Sequence, residues 1–293
     1  MTEVLVLGAA SWNRMVQLET LPQGRSATIF EAVEYEAAGS TGTGKAMALA
    51  GLGCRAVLHC ALGRDEHGAK VRAACTARGI RLIVDEQDAP TPHHLNIMDR
   101  QGGRYSIFLS NGAPDPVIDM TRIGAEISRA RTIFLSLCHS SKKILPLLNR
   151  VPGQILLDLH DYDGSNPWYE DFIACADIIQ LSDVALPADP IPVVKRLLRG
   201  RARQVVLTRG EDGAEIWTGA ARIKVPPIPA VLRDSNGAGD AFSVALWLAQ
   251  DQGMALPEAG RFAAAAAAIT VESDSLFPPG GGLEQIRMRA GLI

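Results

Sequence analysis

Residues 234–242 read Asp-Ser-Asn-Gly-Ala-Gly-Asp-Ala-Phe, which sets two carboxylates and several small residues ahead of an apolar run that continues through Leu248. Small residues let backbone amides crowd an anion. Amides at a helix N-terminus, with the macrodipole behind them, stabilise the charge that builds on a transferring phosphoryl group. Asp240 sits inside that turn, where it is placed to take a hydroxyl proton. Read without such chemistry, the same residues make a Gly-rich turn with a helix-capping Asp.

Other constellations carry less. Gly39 to Lys45 satisfy G-x-x-x-x-G-K, the phosphate-cradling loop of P-loop nucleotidases. Residue 46, however, is Ala and not a magnesium-binding Ser or Thr. The preceding segment also carries Glu31, Glu34 and Glu36, unlike a strand buried on both faces. The loop therefore reads as backbone at the start of a helix. His93 and His94 lack a third ligand at metal spacing and read as a solvated pair on a strand. His160 and Asp161 follow an apolar strand at the edge where α/β sheets bind ligands, and a site role and a plain one both stay open. Five cysteines (Cys54, Cys60, Cys75, Cys138, Cys175) are odd in number and free of any Cys-x-x-Cys pair. That argues against a disulfide framework or thiolate zinc and points to a reducing cytoplasm.

The elements that must position Asp240 are legible as Val/Ile/Leu-rich runs at 4–8, 56–62, 132–137, 154–159, 177–181 and 204–208, the pattern of buried parallel strands. Helix-period stretches at 42–53, 66–78, 118–129 and 190–198 alternate with them, which indicates a three-layer α/β fold. Residues 27–37 and 94–109 instead alternate apolar with polar and predict half-wet strands, with Gly102-Gly103 as a hairpin turn. These form a small β-lid, roughly 11–38 and 90–112, on one domain spanning 1–293. Trp217 is expected to begin a turn, and the Ala-rich run 261–271 a buried helix. A net charge of -3 gives no basic footprint for nucleic acid or an anionic membrane. The N-terminus does not read as a secretory signal, and the longest apolar run falls far short of the ~20 residues that cross a bilayer.

The 234–242 segment resembles the D-[TS]-x-G-A-G-D-x-F signature of PfkB (ribokinase-like) carbohydrate kinases. Further segments fall in that family's order. Residues 37–53 are similar to its first Gly-rich signature, 62–68 to its G-x-D-x-x-G turn, Thr91 with Gly103-Arg104 to its lid, and 206–213 to its T-x-G-x-x-G segment. The resemblance implies an α/β/α ribokinase-like sandwich with a mostly parallel central sheet. It makes Asp240 the general base and Gly237, Ala238 and Gly239 the anion hole. ATP, with Mg2+, lies along Thr208, Gly210, Gly213, Asp234 and Asn236, and Asp234 fixes the loop, in some members beside K+. A small sugar-like acceptor lies at Asn13, Gly39, Ser40, Gly44 and Arg104, under a lid that often forms a homodimer contact.

Several positions depart from the family pattern. Asn13 stands where an Asp is usual, and Ser40 completes what is usually Gly-Gly. Gly44 replaces an Asn, with Lys45 next, which predicts a wider and more basic pocket in which Lys45→Ala raises the sugar KM. The family's N-x-x-E reads Ser182-Asp183-Val184-Ala185, leaving Asp183 as the candidate metal ligand. A non-catalytic ligand-binding protein on the same fold and a nucleoside kinase are the alternatives.

Overall fold

The computed structural model describes residues 3–26, 28–100, 102–149, 151–278 and 282–293. Its strands are β1 (Glu3–Leu7), β2 (Ser11–Leu18), β3 (Val33–Gly39), β4 (Arg55–Gly63), β5 (Arg81–Gln87), β6 (His93–Asp99), β7 (Arg104–Ser110), β8 (Thr132–Ser136), β9 (Gln154–Asp158), β10 (Ile178–Ser182), β11 (Gln204–Thr208), β12 (Ala214–Thr218) and β13 (Arg222–Val225). The helices are α1 (Thr41–Gly51), α2 (Glu66–Ala77), α3 (Met120–Arg129), α4 (His139–Leu148), α5 (Glu170–Cys175), α6 (Ile191–Leu198), α7 (Ala238–Asp251), α8 (Leu256–Val271) and α9 (Leu283–Arg289).

Nine strands form one sheet in the order β13-β12-β11-β10-β9-β8-β1-β4-β5. Every pairing from β11 to β5 is parallel, and β12 and β13 close the other edge antiparallel. The apolar runs supply this sheet because both of its faces are covered. On one face α1, α2, α7, α8 and α9 pack through Leu49, Val71, Trp247, Phe262 and Ile286; on the other, α3 to α6 pack through Ile127, Leu148, Phe172 and Leu197. This is the expected three-layer sandwich. The alanines of 261–271 lie in α8, where Ala263, Ala265 and Ala266 are fully buried and let α7 and α8 approach closely.

The alternating segments build a second, four-stranded sheet in the order β3-β2-β6-β7. Its hairpin turns at Gly102, whose φ of 88° suits glycine, and the Asp99 carboxylate accepts the Gly103 amide at 2.8 Å. Residues 28–32 do not continue β3, although the alternation predicts it: pairing with β2 starts only at Val33. Ala27 and Gln101, inside the predicted lid ranges, lie outside the described residues. Trp217 is a strand residue of β12 paired with Val205, not the start of a turn.

The G-x-D-x-x-G segment joins the two sheets and lines no part of the cleft described below. Asp65 caps α2 by accepting Gly68 N at 2.8 Å, and it also accepts the amide and hydroxyl of Thr91, each at 2.7 Å. A Cβ on Gly63 would lie 2.6 Å from the Ala89 carbonyl oxygen, so this crossing point requires glycine.

Candidate active site

The segment 234–240 folds as the residue types dictate. Gly237, at φ 81°, precedes α7, and a Cβ there would lie 2.4 Å from the Leu276 carbonyl oxygen. The loop before it is tied by Asp234, whose Oδ1 accepts the backbone and side-chain amides of Asn236 at 2.8 and 2.6 Å, while Oδ2 accepts the Tyr35 hydroxyl at 3.0 Å. Burial first, then the Asp234 charge, pushes the Tyr35 phenol well above its ordinary range. From β10, Gln180 donates to the Gly239 carbonyl at 2.9 Å and fastens the first turn of α7 to the sheet. The amides of this 14-residue helix are thus held at the carboxyl edge of the strands, with their dipole aimed outward.

Asp240 lies within that turn and is 7% exposed. Its Oδ1 accepts from Lys45 Nζ at 2.5 Å, and the same ammonium donates to Asp158 Oδ2 at 2.9 Å. Lys45 is fully buried. It does not widen or charge a pocket, as its place beside Gly44 suggested; it is an internal cation between two carboxylates. Burial alone would lower the Lys45 pKa, but Asp158 and Asp240 together raise it above its usual value, and it stays charged. Asp158 is also buried; His160 and Lys45 overcome that burial and hold it at about 2. Asp240 goes the other way: its burial, reinforced by the Asp158 charge, outweighs Lys45 and raises its pKa. Two carboxylates facing one ammonium are therefore split into a fixed anion and a more basic one, the kind of separation that assigns roles at a catalytic site.

Gly44 has a reason of its own. A Cβ there would lie 2.0 Å from Asp240 Oδ2, so a side chain would expel the carboxylate from its seat. Gly39 similarly clears Asn13, whose Nδ2 would meet a Cβ at 2.0 Å. Neither glycine lines the cleft. Ser40 does, and it carries the positive φ, 68°, that the usual Gly-Gly pair accommodates; its hydroxyl donates to Ser11 Oγ at 2.9 Å.

A cleft of about 670 Å³ opens between the two sheets. Of the sequence-predicted residues it gathers Asn13, Ser40, Arg104 and Asn236. Asn13 is 7% exposed, and its Oδ1 has no hydrogen-bond partner among the described residues, which leaves a buried acceptor in the cleft wall. Arg104, from β7, donates to Asn236 Oδ1 at 2.7 Å and so reaches from the second sheet to the Gly-rich loop. His160 and Asp161 line the cleft, and His160 is held at φ 49° beside Asp158. His94 does so too, against the expectation of a solvated pair. It is buried against Phe108, with ring centroids 4.0 Å apart, and burial lowers its pKa to about 4. Of His93 and His94, only His94 lines it.

Thr208, Gly210 and Gly213 lie at the carboxyl end of β11, outside this cleft. Gly210 and Gly213 have φ of 52° and 87°, and a Cβ on Gly213 would lie 2.2 Å from the Val225 carbonyl oxygen. Beside them Asp183 faces Arg209 at 4.0 Å, and Arg209 also reaches Glu215 at 3.6 Å. Among the described residues no group of three His, Cys, Asp or Glu side chains could hold a metal. The residues present thus do not form a protein cage for magnesium, and Asp183 stands as a single carboxylate already facing a guanidinium.

The fold and this site define a class: an α/β sandwich with a glycine-rich helix start, a buried acid and a cleft under a second sheet. Comparison with known proteins agrees. Residues 171–277 match the model of the pfkB family of carbohydrate kinases. The chain is 32% identical over 249 residues to an acarbose 7(IV)-phosphotransferase of Actinoplanes sp., covering 82% of each chain. It is also 25% identical to a ribokinase of Bacillus subtilis, over 97% of this chain and 96% of that one. Among solved structures, a microbiome-derived acarbose kinase superposes with a TM-score of 0.84 at 24% identity, covering 99% of both chains. The chain belongs to the pfkB family of carbohydrate kinases. None of its helices, among the described residues, is long and apolar enough to cross a membrane.

Proposed function

We propose that the chain transfers the γ-phosphoryl group of ATP to a hydroxyl of a sugar seated in the cleft, with Asp240 as general base. The observation that carries this reading is the buried carboxylate of Asp240, in the first turn of a helix whose start is fastened to the sheet by Gln180. The nucleotide lies along Thr208 to Gly213 and the loop of Asp234 and Asn236. The amides of Gly237, Ala238 and Gly239 face the phosphoryl oxygens as charge builds. Asn13, Ser40 and Arg104 hold the acceptor, and Gly39 and Gly44 act from beneath by leaving room for Asn13 and Asp240. Asp240 takes the proton of the attacking hydroxyl as its oxygen bonds to phosphorus and the bond to ADP breaks. Magnesium, when present, travels on the nucleotide, and no residue is assigned to K+. Tyr105, Ile107 and Leu109 are exposed on β7 and support a homodimer through this lid. Sedimentation at micromolar concentration then gives a dimer mass, and a monomer mass contradicts it.

Relatives named for acarbose and for ribose define the acceptor panel: acarbose, ribose, fructose, sugar acids and nucleosides. ADP release should require one of the sugars. Release driven only by nucleosides favours the nucleoside kinase, and sugar binding without ADP release favours a non-catalytic binder.

A further inference from the structure

One wall of the cleft comes from elements that carry neither Asp240 nor the residues assigned to the acceptor. Asn13, Ser40 and Arg104 mark the acceptor end. Trp168 and Tyr169 line the cleft from a different element, the short helical turn Pro167–Tyr169 that leads into α5, with His139 from α4 beside them. These rings are fixed. The Trp168 amide donates to Asn166 Oδ1 at 3.0 Å, and its carbonyl accepts from Lys142 Nζ at 3.0 Å. Its ring rests on Phe172 at 5.0 Å, meets Tyr169 edge-on at 5.5 Å and His139 edge-on at 6.4 Å, with Lys142 Nζ 5.5 Å from its centroid. Both Trp168 and Tyr169 remain partly exposed.

A pyranose has an apolar C–H face and a rim of hydroxyls. A fixed aromatic ring suits the first, and His139, His160 and Asp161 suit the second. Size points the same way. About 670 Å³ lies near the middle of the ~300–1,000 Å³ range of sites that enclose drug-sized ligands, which leaves room for more than one sugar ring. Charge narrows the class further. Arg104 and Asp161 are the only Lys, Arg, Asp or Glu side chains among the described residues lining the cleft, and Arg104 already bonds to Asn236.

We propose that Trp168 and Tyr169, with His139, form a second saccharide subsite beyond the acceptor position, and that the substrate is a neutral glycoside of more than one ring. The proposal rests on the kinase reading for which end of the cleft reacts. Its test is binding without ATP, so absent turnover contradicts the kinase reading while the subsite is decided separately. Calorimetry with glucose, maltose and maltotriose, and with fructose, sucrose and raffinose, should show within at least one series a Kd that tightens about tenfold or more from one ring to the next. In Trp168→Ala that ratio falls to about one, and in Trp168→Phe, which keeps a ring, part of it returns. The ratio is internal to each protein, so a general loss of folded material does not imitate the result. Equal affinity along both series in the wild type, or a wild-type ratio retained in Trp168→Ala, overturns the subsite.

Discussion

Asp240→Asn lowers kcat by about 10²–10⁴-fold while leaving the sugar and ATP KM within a few-fold of wild type, as expected for loss of a general base acting only in the transition state. The amide is close in shape and can still receive a hydrogen bond from Lys45, so the fold should survive; what disappears is the proton acceptor. The wild-type pH profile carries a second signature. Asp240 must be ionised to act, and its pKa is raised, first by burial and then by the Asp158 charge against the pull of Lys45 and His160. Activity therefore falls as pH drops through a value above the ordinary aspartate pKa of ~3.9. A limb at or below the ordinary value contradicts the assignment, as does Asp240→Asn with wild-type kcat.

Lys45→Met costs the fold about 3–5 kcal/mol, the usual consequence of removing one partner from a buried ionic cluster. The loss has a specific source. Asp158 and Asp240 would face each other in a buried site with no cation between them, and one must take a proton. Asp158 keeps the backbone amide bond from His160 at 3.0 Å that favours its ionised form, so the proton goes to Asp240. Turnover at neutral pH should fall by at least tenfold and partly recover as pH rises, because deprotonation restores the base. Adding Asp158→Asn to Lys45→Met removes the second charge and should return most of the lost stability, a coupling that denaturant titration reads directly. Wild-type stability and an unmoved pH profile in Lys45→Met would show that the ion pair is idle. This reverses the expectation from sequence that Lys45 acts on the sugar KM.

The reason for that reversal is physical. In the sequence, Lys45 follows Gly44 in a helix start that faces the acceptor, and a lysine near a polar pocket reads as part of it. Its ammonium in fact turns inward to two acids 113 and 195 residues away, and such distant pairings leave no trace in local spacing. Asp158 did leave one. An acid ending the otherwise apolar strand β9 is a buried charge in need of a partner, and that signal could have found it. The strands were legible because burial on both faces writes continuous Val, Ile and Leu runs, and the Gly237 turn because only small residues tolerate its backbone. Residues 28–32 alternate as a strand does, yet among the described residues no strand pairs with them, and alternation alone cannot report that. The aromatic wall at Trp168 and Tyr169 was also illegible, since two rings after a proline look the same in a core as beside a ligand.

The central claim is phosphoryl transfer to sugar through Asp240. The measurement that tests it most directly is product analysis by mass and ³¹P spectra, with magnesium, ATP and the best acceptor of the sugar panel, run on wild type and Asp240→Asn side by side. The account predicts one sugar phosphate formed per ADP released by the wild type, and a rate at least about 10²-fold lower in the mutant. ADP released without a sugar phosphate, or sugar phosphate formed equally fast by Asp240→Asn, would contradict it.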